Sequence, residues 1–371
     1  MKRALLCSAF AALLTGCGLC PSPPSAATGT AARYPITDVA SAPATPVRNQ
    51  AKSGTCWAFG GVSLIESEAI RTRRCTPDLS EMWVVRHAYF EKAVKYVRTR
   101  GRVAFDQGGE IQDVLWLVDR YGIVPQSLYE GGAADGTYDH ASLAKAIRRL
   151  AKRIVDKKLY EKEHWQRMID EELDRRLGAR PDRFVIDGVA YTPFSYADSI
   201  GFRRDDYVAL TSFTHHPFFE RFVLEIPDNW AAHATLNIPL DSLMRLLDSA
   251  LAAGYTAAWD ADVSERGFGR RAGIALLPQQ EGRITLPAPE IVVDQPLRQR
   301  MFDTQATTDD HVMHIVGTAV DSLGNSYYKV KNSWGRAGGT PRLLVCVARL
   351  CRRQNHRIST PPRRSGCRSR R

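Results

Sequence analysis

Three residues in this chain could together carry out nucleophilic attack on a carbonyl. Cys56 stands in the stretch S-G-T-C-W-A-F at 53–59, directly ahead of a run with helical spacing. A thiol reacts as its thiolate and is mostly protonated near neutral pH, so it needs a partner that stabilises the charge. A helix N-terminus supplies free N–H groups and a partial positive charge. The base must come from elsewhere in the chain. His311, in T-D-D-H-V-M-H-I-V-G, opens a strand-like run, and Asn332, in V-K-N-S-W-G, follows it by 21 residues. One hairpin brings the Asn332 amide oxygen to the imidazole nitrogen facing away from sulfur, which fixes the tautomer and the ring's orientation. A cysteine taken alone is more often an inert buried hydrophobe, and Cys75 keeps that reading. His314, three residues past His311, points to the opposite strand face and reads as structural, as do His87, His140 and His233. Met313 and Trp57 read as core.

The elements around these residues follow from periodicity. Residues 57–71 have apolar positions at helical spacing with polar ones opposite. A second helix follows L-S-E near Leu79, and a third, I-Q-D-V-L-W-L-V-D-R-Y, stops at Gly122. D-Q-G-G-E at 106–110 is a tight loop between them. Residues 139–180 form a charged helical stretch whose apolar stripe is Leu143, Ile147, Leu150 and Ile154. The period then changes: F-V-I-D-G-V-A-Y, Y-V-A-L-T-S-F and R-F-V-L-E-I-P are strand-like. One more helix, at 239–253, precedes Y-T-A-A-W-D-A-D-V, H-V-M-H-I-V-G-T-A-V-D and S-Y-Y-K-V-K-N-S-W-G, the last two joined by the turn D-S-L-G-N. Helices come first and strands later, so the fold class is α+β in two lobes.

Charge excludes one function class. The chain of 371 residues carries 51 Lys+Arg against 40 Asp+Glu, a net charge of +11, which taken whole suggests a nucleic-acid or anionic-surface partner. Eleven of those arginines lie in 336–371, a segment with no Lys, Asp or Glu, so the rest of the chain is neutral. The tail has neither a helical arginine stripe nor interleaved aromatics, and no nucleic-acid partner is expected. Of the eight cysteines, Cys7, Cys17 and Cys20 fall near the N-terminus and Cys346, Cys351 and Cys367 in the tail. No C-x-x-C pair stands near a histidine cluster, so no metal site and no cofactor are expected. A Cys56–Cys75 disulfide would consume the thiol of interest.

At the N-terminus, Lys2 and Arg3 precede an apolar stretch too short to span a bilayer and shaped like a secretory signal. Its end, L-T-G-C, resembles the bacterial lipoprotein signal. That resemblance implies a signal peptide over 1–17, lipidation at Cys17, export, and a periplasmic or outer-membrane lipoprotein held to the membrane by its anchor. The Pro/Ser/Ala-rich segment 18–35 reads as a tether.

Gln50 with S-G-T-C-W, Q-G-G at 107–109, D-H-V-M-H-I-V-G at 310–317 and K-N-S-W-G at 331–335 together resemble the papain-like cysteine peptidases. His311 follows Cys56 by 255 residues, against roughly 130 to 150 in ordinary members. That excess, with T-H-H-P-F at 214–218, V-L-E-I-P-D-N-W at 223–230 and W-D-A-D-V-S-E-R-G-F at 259–268, resembles the bleomycin hydrolase and aminopeptidase C branch. The resemblance covers residues 34–335 and implies a papain-like two-lobe fold, a helical lobe carrying the cysteine and a β-barrel-like lobe carrying the histidine and asparagine, with 139–180 as a helical insertion. It implies a Cys-His-Asn peptidase acting through an acyl-thioester, most simply an aminopeptidase, with Cys56 as nucleophile, His311 as acid–base and Asn332 orienting it. By the same resemblance Gln50 donates to the oxyanion, Gly108 and Gly109 form the substrate-binding loop, Trp334 shields the Asn–His hydrogen bond, peptides are the substrates and the chain forms homo-oligomers. His215 and His216 belong to a branch motif and receive no chemical role.

After Gly335 the resemblance stops. Residues 336–371 lack acid, lysine and aromatic residues, the composition of an out-of-frame reading of a GC-rich gene. The expectation is a β lobe that loses its C-terminal end there. The alternative function is an inactive, peptide-binding descendant.

Overall fold

The element carrying Cys56 is buried on nearly every side. Helix α1 (Cys56–Arg73) buries not only Trp57, Phe59, Val62, Leu64 and Ile65 but also Ser63, Glu66 and Ser67. The amphipathic face expected over 57–71 is therefore corrected: the helix is enclosed, and Ser63 and Glu66 find hydrogen-bond partners inside. Two glycines allow this. A Cβ on Gly60 would lie 2.7 Å from Val312 Cγ1, and one on Gly61 would lie 2.6 Å from Val114 Cγ2. Such contacts are too close for a side chain, so the two glycines let the helix backbone press directly on the valine side chains of its neighbours.

The structure is a computed structural model and describes residues 36–132, 137–265, 267–269, 273–279, 290–337, 340–347 and 357–360. The signal segment, Cys17 and the tether at 18–35 lie outside the described residues. Before α1 runs strand β1 (Ile36–Ser41); after it come α2 (Glu81–Arg98), α3 (Ile111–Tyr121), α4 (Ala141–Asp156) and α5 (Lys162–Leu177). The helical stretch expected over 139–180 is two helices, and both pack against α2. Leu143, Ile147, Ala151 and Ile154 of α4 face the core with Trp165, Ile169, Leu173 and Leu177 of α5, whereas Leu150 is only half-buried. Each fully buried side chain of this size stabilises by about 1.5–3 kcal/mol. Helix α5 is tied to α2 by Arg86, fully enclosed, which donates to Asp170 (3.0 Å) and Asp174 (2.5 Å).

Next come β2 (Phe184–Ile186) and β3 (Val189–Tyr191), a separate two-stranded hairpin. Helix α6 (Pro193–Ser199) was not anticipated, although Thr192 and Ser195 form a reciprocal capping box with Pro193 at the first turn, a start signal readable in sequence. Strands β4 (Val208–Thr211), β5 (Arg221–Val223) and β6 (Ala234–Asn237), helix α7 (Leu240–Ala252), strands β7 (Ala257–Ala261), β8 (Phe268–Gly269) and β9 (Ile274–Ala275), and helix α8 (Gln295–Asp303) follow. The chain then enters β10 (His311–Asp321), β11 (Ser326–Ala337), β12 (Thr340–Val347) and β13 (Arg357–Thr360).

One eleven-stranded sheet takes the order β5-β6-β4-β13-β7-β10-β11-β12-β9-β8, with β1 added along β10. The expectation of a β lobe that loses its C-terminal end after Gly335 is not borne out by these elements, because strands continue past that residue. β11 runs on to Ala337, β12 pairs antiparallel with it, and β13 lies between β4 and β7. Arginine-rich composition does not forbid a strand: L-L-V-C-V at 343–347 is an apolar, β-prone run, and the sheet supplies partners for its backbone. Two apolar cores result. One gathers the helices α1 to α5 around Trp57 and Trp83; the other lies under the sheet around Trp259, Met313 and Val330. The expected α+β character, a mixture of eight described helices and a large sheet, is what the molecule has. Among the described residues no helix is long and apolar enough to cross a membrane.

Candidate active site

β10 places the histidine. It pairs antiparallel with β7, His311 opposite Ala261 and Val312 opposite Asp260, and with β11 on its other side. His311 and Asn332 meet across β10 and β11: His311 Nε2 is 2.8 Å from Asn332 Oδ1, both groups buried. With Nε2 donating to the amide oxygen, Nδ1 is the ring nitrogen left for a second partner. The Asn332 amide oxygen also accepts from the Ser333 N–H at 2.7 Å. Trp334 stacks on the imidazole, centroids 4.8 Å apart at 29°, and its strand is anchored by a bridge to Asn49 and by the Gly335 N–H donating to the Arg48 carbonyl at 2.9 Å.

Cys56, the first residue of α1, lies against the backbone of Val312, the residue after His311, and the backbone contact favours its thiolate. The close approach at Gly60 is what brings the helix to that strand. Burial nevertheless pushes the thiol pKa up to about 12, and the carboxylates of Asp260 and Asp228 push the same way. Cys56 and Cys75 are both free thiols. The length of α1 separates them by about 27 Å at 1.5 Å per residue, which rules out the considered disulfide.

Gln50 is buried beside this pair. Its N–H donates to the Ser333 carbonyl at 2.8 Å, its side-chain oxygen accepts from the Ser333 hydroxyl, and Nε2 donates to the Ser53 carbonyl at 2.7 Å. An amide NH₂ has two hydrogens, so one remains beyond the Ser53 contact. The 106–109 loop is held by four hydrogen bonds to its surroundings. Trp57 Nε1 donates to the Gln107 carbonyl at 3.0 Å, the Gln107 side chain accepts from the Gly54 N–H at 2.8 Å, and the Lys92 ammonium donates to the carbonyls of Asp106 (2.9 Å) and Gly108. Gly108 is covered by Asp228, and a Cβ on Gly109 would lie 2.9 Å from the Trp57 ring. The structure thus links these residues around the start of α1: Cys56 touches the Val312 backbone next to His311, Gln50 bonds Ser333 between Asn332 and Trp334, and the 106–109 loop bonds Gly54 and Trp57 on either side of the cysteine.

The other singled-out histidines lie elsewhere. His314 is fully buried, its Nδ1 2.8 Å from the Ser63 hydroxyl, and burial drives its pKa well below the usual range. His87 stacks on Tyr121 at 3.9 Å, and His233 Nε2 lies 3.0 Å from Asp113. His215 and His216 clamp one carboxylate, Glu225, at 3.2 and 2.7 Å. Gln299 uses its oxygen on the Thr214 N–H, so its NH₂ faces His215 Nδ1 at 3.0 Å. That makes Nδ1 the acceptor and leaves the proton on Nε2, pointing at Glu225, a tautomer suited to holding a carboxylate rather than a metal ion.

Sequence reasoning missed the acidic surroundings of the thiol. Glu110, Asp260 and Asp309 bring carboxylate oxygens within 4.8 Å of one another, and Asp228 stands nearby. These residues come from four distant segments, and no local motif links them.

No family model matches the chain. Among curated proteins it is similar to aminopeptidase C of Lactococcus lactis subsp. cremoris, 24% identical over 81% of this chain and 77% of that one. It is also similar to aminopeptidase G of Lactobacillus delbrueckii subsp. lactis, 25% identical over 82% and 78%. Among solved structures it is similar to PepW from Lactobacillus rhamnosis HN001, with a TM-score of 0.67 over 88% of this chain and 82% of that one at 18% identity.

Proposed function

The chain belongs to the bleomycin hydrolase and aminopeptidase C branch of the papain-like cysteine peptidases, and from that premise we propose that it hydrolyses peptide bonds by a Cys-His-Asn mechanism, releasing residues from a free amino end. The observation that carries this reading is the 2.8 Å contact between His311 Nε2 and Asn332 Oδ1, on the strand whose next residue, Val312, touches Cys56. With Nε2 occupied, Nδ1 takes the thiol proton as sulfur attacks the scissile carbonyl. Burial opposes ionisation of the thiol, so the imidazole is the base that lets sulfur react as its thiolate, paired with imidazolium. The remaining N–H of Gln50 and the Cys56 backbone N–H receive the oxyanion. His311 then protonates the leaving amine, and water, deprotonated by the same imidazole, opens the acyl-thioester.

The division into a helical core carrying Cys56 and a sheet core carrying His311 and Asn332 supports a papain-like two-lobe arrangement with the cleft between. The L-T-G-C signal supports export with lipid anchoring at Cys17, and membership of the branch supports homo-oligomers. The deciding experiment pairs an aminoacyl fluorogenic substrate with its N-blocked counterpart on the wild type and on Cys56→Ala. Cleavage of the unblocked form alone, abolished by the substitution, is expected. Equal turnover of both forms means endopeptidase action, and turnover that survives Cys56→Ala removes the nucleophile from the mechanism.

A second reading is a peptide-binding descendant without activity, supported by the burial and the Asp260 and Asp228 carboxylates that oppose the Cys56 thiolate. A thiol-directed epoxide separates the two: stoichiometric labelling of Cys56 rejects the inactive reading.

A further inference from the structure

Asp228 has no task in the mechanism, yet it occupies the proposed substrate loop. It lies between β5 and β6 in sequence and sits over Gly108, where a Cβ would come within 2.1 Å of Oδ1 and 2.2 Å of Oδ2. A carboxylate so placed needs a donor. The nearby cation, Lys92, directs its ammonium to the carbonyls of Asp106 and Gly108. The other charged groups facing Asp228 are Asp309, Asp106 and Asp113, all acidic; burial and these neighbours, Asp309 foremost, raise its pKa to about 7, against the pull of Lys92. The corner is a part-buried anionic pocket beside the nucleophile, with more negative charge than its own lysine balances. A cation brought in from outside would relieve it.

Resting on the peptidase reading, we propose that Asp228 receives the free α-ammonium group of the substrate and so sets the cleft's preference for peptides with an unblocked amino terminus. A peptide backbone running along Gly108 and Gly109 ends where Asp228 covers the glycine, so the chain's first nitrogen meets the carboxylate. An ammonium there makes charge-assisted hydrogen bonds. An acylated nitrogen offers one neutral N–H, adds bulk, and leaves the carboxylate desolvated without a counter-charge, the kind of mismatch that rejects a ligand strongly. The same contact acts on the chemistry. The negative charge of Asp228 reaches Cys56 and opposes its thiolate, so an ammonium bound at Asp228 cancels part of the field against ionisation. Recognition of the amino terminus thereby eases the attack it precedes.

The test measures binding, so that it stands apart from turnover. On full-length Cys56→Ala protein at pH 8, a short peptide carrying a dye at its C-terminus is compared by fluorescence anisotropy with its N-acetylated form. The free amine should bind tighter by about tenfold or more. Adding Asp228→Asn, which keeps the shape and removes the charge, should reduce the preference to within about twofold while acetylated-peptide binding stays unchanged. A preference that survives Asp228→Asn, or no preference at all in Cys56→Ala, overturns the assignment. Asp228→Ser, too small to press on Gly108, repeats the comparison. If both variants lose the acetylated peptide as well, Asp228 is a prop for the loop and the proposal is rejected. Hydrolysis by the wild type is scored separately: absence of any turnover sinks the peptidase reading while the amine preference is still read from binding.

Discussion

The two faces of β10 carry the same residue type into opposite circumstances. On one face His311 meets Asn332 and lies under Trp334; on the other His314 is closed off against Ser63, and Lys331, its partner across the β10–β11 ladder, donates to that same hydroxyl at 2.7 Å. Alternation along a strand sends residues three apart to opposite sides. The first side opens on the start of α1 with its thiol, and the second on the polar stripe of the same helix. One helix therefore serves both faces, with Cys56 at its end for one and Ser63 and Glu66 in its second and third turns for the other. On the proposed reading, chemistry on the first face depends on a rigid second face.

The largest effect that can break this comparison is on activity. His311→Ala should lower kcat/KM by about 10²–10⁴-fold, the range for a lost acid–base group, with the melting temperature near that of the wild type. His314→Ala should do the reverse, leaving kcat per folded molecule within about threefold while lowering the melting temperature, because removing one partner leaves buried polar groups unsatisfied. Parallel kinetics and thermal melts decide it, and an activity loss in His314→Ala equal to that in His311→Ala would erase the distinction between the faces.

Next in size is the ion network behind the second face. Burial pushes the Glu66 carboxyl up, and Lys331, the Leu79 N–H and the Thr45 hydroxyl hold it down. Lys331, itself lowered by burial, donates to Thr45 (2.8 Å) and Ser63. Lys331→Met should cost about 3 kcal/mol, since it strands a buried charge, and urea unfolding monitored by tryptophan fluorescence would show it. The double variant Lys331→Met with Glu66→Gln should recover part of that loss. No recovery would mean that packing, not charge, fixes this face.

The two faces of the network also set the pH profile of stability. Glu81 is buried at the start of α2, and burial, then the charge of Glu66, raises its carboxyl to about 8. Its proton is kept by the folded chain but lost by the unfolded chain above about 4.5, so stability falls as pH rises from about 4.5 to about 8, by up to about 1.4 kcal/mol per unit. His314 acts on the acid side. Its folded pKa lies well below the ordinary 6.5, so the unfolded chain takes up a proton that the folded chain refuses, and stability is lost as pH falls below about 6.5. Glu81→Gln should flatten the alkaline limb alone and His314→Gln the acid limb alone. A single limb that responds to both would show the two groups titrating as one unit.

The first face was legible in the sequence because its parts are local signatures. Cys56 stands at the start of a helix-spaced run, and His311 and Asn332 lie one hairpin apart, so short-range pattern places each. The enclosing surroundings were not legible. That α1 is buried all round follows from Gly60 meeting Val312 and Gly61 meeting Val114, contacts between residues far apart in sequence. Asp228 covers Gly108 across a comparable separation, and nothing in P-D-N-W announces it. α8 carries a proline in its first turn and an Asp294 side chain that accepts from the Leu297 N–H at 2.8 Å, a cap that could have been read in advance but has little apolar periodicity behind it. At 340–347 and 357–360 the arginines drew attention to charge, whereas strand formation there depends on open backbone partners in the sheet, which composition does not display.

The smallest expected effect tests how the first face is kept dry. Trp334 stacks on His311 and is itself met by Phe268, centroids 6.5 Å apart at 68°, so the indole is fixed from both sides. A hydrogen bond sheltered from water is stronger than an exposed one, and the His311–Asn332 contact is the one sheltered here. Trp334→Phe keeps an aromatic ring but covers less of it. The substitution should lower kcat by about threefold to tenfold, the size of a weakened but retained hydrogen bond, with KM and melting temperature little changed. Combined with Asn332→Ala it should add almost nothing, because the bond it protects is already gone. Full additivity in that double variant would mean that Trp334 acts on His311 directly, through the stacked ring, and that the two faces of β10 differ by packing against the imidazole rather than by access of water.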